Sequence, residues 1–352
     1  MSNKVDIGIL EEKCSWLLHP RFFPSKVGGK PAWLNLKNYP NDQELVCKKC
    51  CDPLIFLCQI YAPYETSDVC FHRTIFIFIC RNGTCCRTNT NDNIVVFRCQ
   101  QQRKNEFYSF NPYEEKDEAF PMDKWPKLCE LCGAKAPSHC SKCKKVYYCS
   151  RNHQILDWKK GHKEHCQTLQ VAETIKPNNF VVTPSAKSIL FKEWELIVDE
   201  EDEEDVKNID VNHEMEKLQK MIQEKRAGTL DNVSEAELEQ YAKEIPEDKL
   251  FKKFSKRVAR HPDQVLRYDR GGEPLWITEH SNALINIPPC QYCSGERQFE
   301  FQVMPQLLNF IDVGIDFQSI DWGVLAVYTC KESCNEGPAY KMEYLIKQDL
   351  SN

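Results

Sequence analysis

The chain lacks any apolar stretch of membrane-spanning length. Its longest apolar run, residues 75–80, falls far short of the roughly 20 residues that a crossing helix needs. Residues 1–12 show no basic start followed by an apolar core, so a secretory leader is not expected. Neither glycine pair continues into Gly-Lys-Ser/Thr, which excludes a P-loop, and no nucleophile elbow is present. A basic excess is missing too: 46 Lys and Arg stand against 52 Asp and Glu, a formal charge of −6. A domain built to bind duplex or RNA carries a basic surface. This balance points instead to basic protein partners, with no direct nucleic acid and no membrane expected.

Cysteine is abundant, with 20 in 352 residues. Secreted proteins use such a set for disulfides and intracellular ones use it for zinc. Most of these cysteines stand in Cys-x2-Cys pairs or four to five residues apart. Without a leader, that spacing predicts zinc, reduced thiols and a location in cytoplasm and nucleus.

Two stretches repeat one pattern. Gly28-Gly29-Lys30-Pro31-Ala32-Trp33 is matched by Gly271-Gly272-Glu273-Pro274-Leu275-Trp276. Fourteen positions separate Trp33 from Cys47 and Trp276 from Cys290; nine separate Cys50 from Gln59 and Cys293 from Gln302. The spacing identifies a duplicated module. Cys47, Cys50, Cys80 and Cys85 are assigned to one zinc, and Cys290, Cys293, Cys330 and Cys334 to another. Cys86 and Cys51 compete in the first copy, and Cys85 keeps the second pair closer. Four thiolates close the coordination shell, which argues for a structural metal and against hydrolysis. Cys14, Cys51, Cys58, Cys70, Cys86 and Cys99 are left over, to be read mostly as small buried apolar residues. The Gly-Gly-x-Pro-x-Trp segments read as a tight turn with a tryptophan anchor.

Segments 54–61, 74–79 and 93–99 read as strands, and Asn82-Gly83 as a turn needing positive φ. Phe299, Phe301 and Val303 alternate with Glu300, Gln302 and Met304, as on a half-buried strand. The expected fold is α+β: two zinc-stapled, mainly antiparallel β modules packed as a pseudo-symmetric pair. The expected units are 1–115, a central finger at 127–168, an acidic flexible or helical linker at 171–255, and 256–352. Within the linker, 199–205 is an unbroken acidic run, read mainly as solvated, and 214–225 and 234–243 look helical.

The central cluster offers Cys129, Cys132, Cys140, Cys143, Cys149, His153, His162 and Cys166, enough for two tetrahedral sites. Cys149/His153 and His162/Cys166 are each four apart, so on a helix each pair shares a face. Spacing leaves interleaved and sequential pairing both open. His139 and His165 are neighbouring rivals. Lys142, Lys144, Lys145, Arg151, Lys159, Lys160 and Lys163 make this segment locally basic, but no recognition-helix pattern accompanies them. His261-Pro262-Asp263 matches the J-domain tripeptide without the paired basic helices that motif needs.

Cys140-Ser-Lys-Cys143, Tyr147-Tyr148-Cys149-Ser150, His153-Gln154, Asp157-Trp158 and His162-x3-Cys166 resemble a MYND zinc finger. The resemblance implies interleaved pairing: Cys129, Cys132, Cys149 and His153 on one zinc, Cys140, Cys143, His162 and Cys166 on the other. His153 stands where that family usually has cysteine. Four zinc ions per chain follow. Tyr147, Tyr148 and Trp158 read first as packing around the metals; the resemblance implies a groove for proline-rich peptides.

The whole chain resembles the programmed cell death protein 2 family. The likeness rests on residues 23–33, Gln59 to Pro63, Arg103-Lys-Asn-x-Phe-Tyr-Ser109, the finger, and 300–309 with Asp321-Trp-Gly323. It implies a non-enzymatic, dedicated chaperone for a nascent basic protein of the small ribosomal subunit, serving 40S biogenesis. An alternative is a MYND-dependent corepressor adaptor linked to cell death or stem-cell maintenance.

Overall fold

A computed structural model describes residues 4–41, 43–114, 124–171, 184–201, 249–278, 286–313 and 319–349. The strands are β1 (Asp6–Glu11), β2 (Lys26–Val27), β3 (Ile55–Tyr61), β4 (His72–Ile79), β5 (Ile94–Gln101), β6 (Ser138–His139), β7 (Tyr147–Tyr148), β8 (Trp194–Glu200), β9 (Leu266–Tyr268), β10 (Arg297–Val303), β11 (Val324–Cys330), β12 (Tyr340–Met342) and β13 (Tyr344–Gln348). The helices are α1 (Arg151–Asp157), α2 (Lys163–Val171), α3 (Pro184–Lys187) and α4 (Lys249–Val258). The architecture is thus mainly antiparallel sheet with few helices.

Eleven strands form one sheet in the order β12-β5-β4-β3-β2-β8-β1-β9-β10-β11-β13. Strands β2–β5 of the first repeat lie on one side and β9, β10, β11 and β13 of the second on the other, with β8 and β1 between; β12 of the second repeat pairs at the first repeat's edge. The repeats therefore join edge to edge through a shared sheet. Glu343 alone separates β12 from β13. The run 340–348 pairs first with β5 and then with β11, and the Glu343 N–H donates to Val96 O at 2.9 Å. The two ends of the sheet meet across this run.

Strand alternation then sorts the side chains. Ile75, Ile77 and Ile79 face a common core with Ile94, Val96, Phe301, Leu325 and Val327, so both repeats feed one interior. On the opposite face, Phe56, Phe76, Phe78 and Phe97 pack with Trp33 and Tyr340. The second repeat covers its own outer face with Phe254 of α4 and Ile277, which pack with Phe299, Val324 and Tyr328. Burial on both faces explains why β4 reads as a continuous apolar run.

Several expectations need correction. The segment 194–200, assigned to the linker, is a central strand. Its composition hides an alternation: Leu196 is buried in the common core, while Ile197 and Asp199 are exposed. Glu201 is also buried, held by Arg267 Nη2 at 2.7 Å and by Arg257 of α4 at 3.1 Å. Residues 202–205 and the helices expected at 214–225 and 234–243 lie outside the described residues. β1 was not anticipated. In β10 a bulge between Phe299 and Phe301 buries Glu300, Gln302 and Met304 along with their neighbours, so the strand is not half-buried. Asn82 does open a turn, accepting from the Thr84 N–H at 3.1 Å, but Gly83 is not among the positive-φ residues. His261-Pro262-Asp263 follows α4 and leads into β9; no second long helix opposes it among the described residues.

Buried ion pairs tie the two repeats together. Arg73 of β4 grips Glu300 of β10 with two bonds, at 2.5 and 2.7 Å, both side chains fully buried. Tyr268 and Thr329 also donate to that carboxylate. Burial pushes the Glu300 carboxyl up, but Arg73 outweighs it and holds the group down at about 2. Arg98 of β5 and Arg297 of β10 share Glu343, at 2.6 and 3.0 Å. Removing one partner of such a pair strands a buried charge at a cost of about 3–5 kcal/mol. Glu300→Gln should therefore destabilise the fold by that order in chemical denaturation, and Arg73→Met/Glu300→Met by less than either single change. Additive losses would show the pair to be uncoupled.

Candidate metal centres

Four knuckles of one design position the cysteines. In each, the residue after the second cysteine takes a left-handed backbone: Cys51 (φ 61), Gly133 (φ 74), Lys144 (φ 57) and Ser294 (φ 60). Its N–H donates to the first cysteine's carbonyl: Cys51 to Cys47 at 2.9 Å, Gly133 to Cys129 at 3.0 Å, Lys144 to Cys140 at 2.9 Å and Ser294 to Cys290 at 2.8 Å. The turn aims both sulfurs at one point. Only Gly133 is a residue that adopts this conformation at no cost, so the sequence signalled the geometry at one knuckle of four.

The fold brings together the donor atoms of four sets, each within 4.8 Å: Cys47, Cys50, Cys80 and Cys85; Cys129, Cys132, Cys149 and His153; Cys140, Cys143, His162 and Cys166; Cys290, Cys293, Cys330 and Cys334. The finger sets are interleaved. Cys85 joins the first set, while Cys86 Sγ turns away to donate to Asp321 O at 3.0 Å. His139 is exposed beside Tyr147, and His165 Nδ1 lies 3.0 Å from Gly161 O, so neither histidine joins a set.

The distances fit zinc. Tetrahedral sulfurs at 2.3 Å from a metal stand about 3.8 Å apart, and a sulfur and an imidazole nitrogen about 3.6 Å. Cys50–Cys80 is 3.6 Å, Cys132–Cys149 3.5 Å, Cys140–Cys166 3.9 Å, and Cys290–Cys334 and Cys293–Cys330 are each 3.7 Å. Cys129–His153 Nδ1 is 3.6 Å and Cys143–His162 Nε2 3.5 Å. All 20 cysteines are free of disulfides, and these separations far exceed an S–S bond. Burial pushes the Cys140 thiol up, yet the Cys143 and Lys142 amides and His162 bring it down to about 6, favouring the thiolate a metal needs. Each of the four clusters is suited to one zinc ion.

Local structure departs from the helical-face expectation at Cys149. Ser150 caps α1, accepting from the His153 N–H at 3.2 Å, so Cys149 precedes the helix that carries His153. Tyr148 is fully buried and donates to Asp157 at 2.7 Å. Trp158 packs edge-on to His162 at 5.9 Å. Both aromatics brace the metal ligands. Of the leftover cysteines, Cys58, Cys70 and Cys99 are buried, whereas Cys14 and Cys51 are exposed and Cys86 is half-buried.

The repeated motif also finds its reason. Gln59 accepts from the Ala32 N–H at 2.8 Å and donates back to Ala32 O at 3.3 Å. Gln302 does the same to Leu275, at 2.6 and 3.1 Å. Each glutamine fixes the residue before the tryptophan. Gly28 and Gly271 donate to Leu57 and Phe299 carbonyls, each at 2.8 Å. A Cβ on Gly28 (φ +65) would stand 2.0 Å from Lys192 O. Trp33 Nε1 donates to Gly133 O at 2.7 Å, which docks the finger on the first repeat. Arg98 was missed by sequence reasoning: its guanidinium lies 3.2 Å from Cys334 O and 3.8 Å from Cys334 Sγ, bringing β5 of the first repeat to the second repeat's metal cluster.

These features define a class: a β protein stapled by zinc clusters, with a MYND finger between two related cysteine modules. Comparison with known proteins agrees. The pattern "Programmed cell death protein 2, N-terminal domain" matches residues 4–115, the MYND finger 129–166, and "Programmed cell death protein 2, C-terminal putative domain" 248–349. Programmed cell death protein 2 of Rattus norvegicus is 41% identical over 99% of this chain and 97% of its own length. The Bos taurus protein is 39% identical over the same shares. A Schizosaccharomyces pombe protein, "Probable 20S rRNA accumulation protein 4", is 33% identical over 25% of this chain and 24% of its own. No solved structure matches. The chain belongs to the programmed cell death protein 2 family.

Native mass spectrometry should find four zinc ions per chain. Cys85→Ser and Cys290→Ser should each leave three, while Cys86→Ser and His153→Cys retain four. Loss of a zinc from Cys86→Ser would reverse the assignment at that pair. Since structural zinc supplies on the order of 10 kcal/mol of folding free energy, a strong chelator should unfold the chain, as read by circular dichroism.

Proposed function

We propose that this chain is a non-enzymatic, dedicated chaperone or adaptor for a nascent basic protein of the small ribosomal subunit. It supports 40S biogenesis and works in cytoplasm and nucleus. The observation that carries this reading is the likeness to the fission yeast protein named for 20S rRNA accumulation. The charge of −6 supports it, because ribosomal proteins are basic and their RNA-binding faces lie unpaired before assembly. Metal sets with four protein donors leave no coordination position for water, which favours binding over catalysis. Among the described residues, no helix is long and apolar enough to cross a membrane.

In this reading the ligand assignments above are structural. The two repeat modules act as a related pair, the finger sits between them, and residues 171–255 link the finger to the second module in the chain. Proline-rich peptides are a second class of partner, recruited at the finger beside Tyr147.

The test is capture of ribosome–nascent-chain complexes on the tagged full-length protein, followed by identification of the nascent chains. One small-subunit ribosomal protein should stand well above an untagged control. Enrichment of proline-rich nuclear corepressors with no ribosomal protein would replace the chaperone by the adaptor.

A further inference from the structure

The outer face of the sheet is covered by aromatic side chains over the first repeat and by Phe254 and Ile277 over the second. Between them runs the strip β1–β8. Its outward cross-strand pairs are Ile7 with Asp199, Ile9 with Ile197, and Glu11 with Glu195. Ile9 and Ile197 are 39% and 38% exposed, an open apolar pair at the join of the two repeats. The inward residues Leu10 and Leu196 are in the common core, so the two faces are sorted without ambiguity.

The charges around this pair are unbalanced. On the outward face Glu11 opposes Glu195. Like charges directly opposite one another destabilise a sheet. The lysines at hand are already engaged: Lys13 with Glu195 at 3.0 Å, Lys192 with Glu12 at 2.9 Å, and Lys4 with Glu200. Among the described residues Glu11 and Asp199 make no ion pair, while Glu201 on the same face is held by Arg267 and by Arg257 of α4. An apolar pair flanked by two unpaired carboxylates suits a partner that brings both apolar groups and positive charge.

We infer that the outer face of β1–β8 is a docking strip for an extended polypeptide segment that alternates apolar residues with lysine or arginine. The partner class rests on the chaperone reading above: the segment belongs to the basic client. The chain's own residues 202–248 are a poor occupant, because they carry 15 acidic and 6 basic residues, a net −9. A second copy is poor as well, since it would bring carboxylates against carboxylates. An alternating segment presents its apolar side chains to Ile9 and Ile197 on one face, where burial is favourable. Lysine and arginine side chains reach past them to Glu11 and Asp199, which steers encounter and gives a salt-sensitive affinity.

The probe is a fluorescein-labelled peptide of alternating valine and lysine, titrated with the zinc-loaded full chain, with a valine–glutamate peptide as control. The valine–lysine peptide should bind and the control should not. Ile9→Ser/Ile197→Ser and, separately, Glu11→Lys/Asp199→Lys should each weaken binding by about tenfold or more. Zinc content and thermal unfolding are checked in each variant; the charge pair is exposed, so it remains informative if the isoleucine variant unfolds. Unchanged peptide affinity in a folded variant overturns the strip. So does a deletion of 202–248 that raises affinity by about tenfold, which would make the chain its own occupant. The same variants are then used in nascent-chain capture. Loss of capture supports the strip. Capture unchanged in folded variants overturns it while leaving the chaperone reading standing. A wild-type chain that binds the peptide but captures no ribosomal protein keeps the strip and removes the client.

Discussion

The requirement that four donors meet at tetrahedral distance is what the rest of the architecture depends on. Each metal set draws ligands from two places far apart in sequence, such as Cys47 and Cys80, or Cys290 and Cys330. The knuckle supplies one pair by a local turn, and a strand end or helix supplies the other. In the repeats the second pair sits where β4 or β11 ends, so the metal sets lie at strand termini. In the finger, which has only a two-stranded ribbon and short helices, metal takes the place of a core it is too small to build. The left-handed non-glycine residues of the knuckles, Lys144 in the finger and Cys51 and Ser294 in the repeats, are held by the same closed geometry.

The second organising feature is the strand run 340–348, which changes partners at Glu343. One residue closes the sheet and also accepts from two buried arginines, Arg98 from the first repeat and Arg297 from the second. Arg98 in turn reaches the Cys334 carbonyl, so sheet closure and a metal cluster share a hydrogen-bond network. With Arg73 and Glu300 alongside, this interior is both ionic and fully satisfied at its carboxylates. Buried charge of this kind contributes little net stability but penalises a slipped register heavily. It is suited to fixing how two similar halves join, where similar strands offer competing pairings.

Function follows from what such a body leaves exposed. The metals are enclosed by protein donors and the aromatic faces are covered. Among the described residues, what faces solvent includes a locally basic finger and an apolar pair, Ile9 and Ile197, on the outer face of the sheet. These are the surfaces that the proposed binding role would use. A fission yeast relative is named for 20S rRNA accumulation.

Much of this was legible in the chain. Cysteine spacing marked the two repeat sets and the eight candidate ligands of the finger, because the short loops that aim paired ligands have lengths written in sequence; which finger ligands share an ion came from the MYND resemblance. The duplicated Gln59 and Gln302 marked a conserved contact to the residue before each tryptophan, since the same local distance recurs in both copies. Strands β3, β4, β5 and β10 were readable from apolar patterning. Tertiary structure alone decided the rest. β1 and β8 carry too many acidic residues to declare themselves, and they exist as strands because each completes the other's ladder between the strands of the two repeats. The charge of buried Glu300 is balanced by Arg73, 227 residues away. The single closed sheet depends on Glu343 turning one strand from β5 to β11. Long-range pairing, not local preference, fixes such features, so no window of sequence contains them.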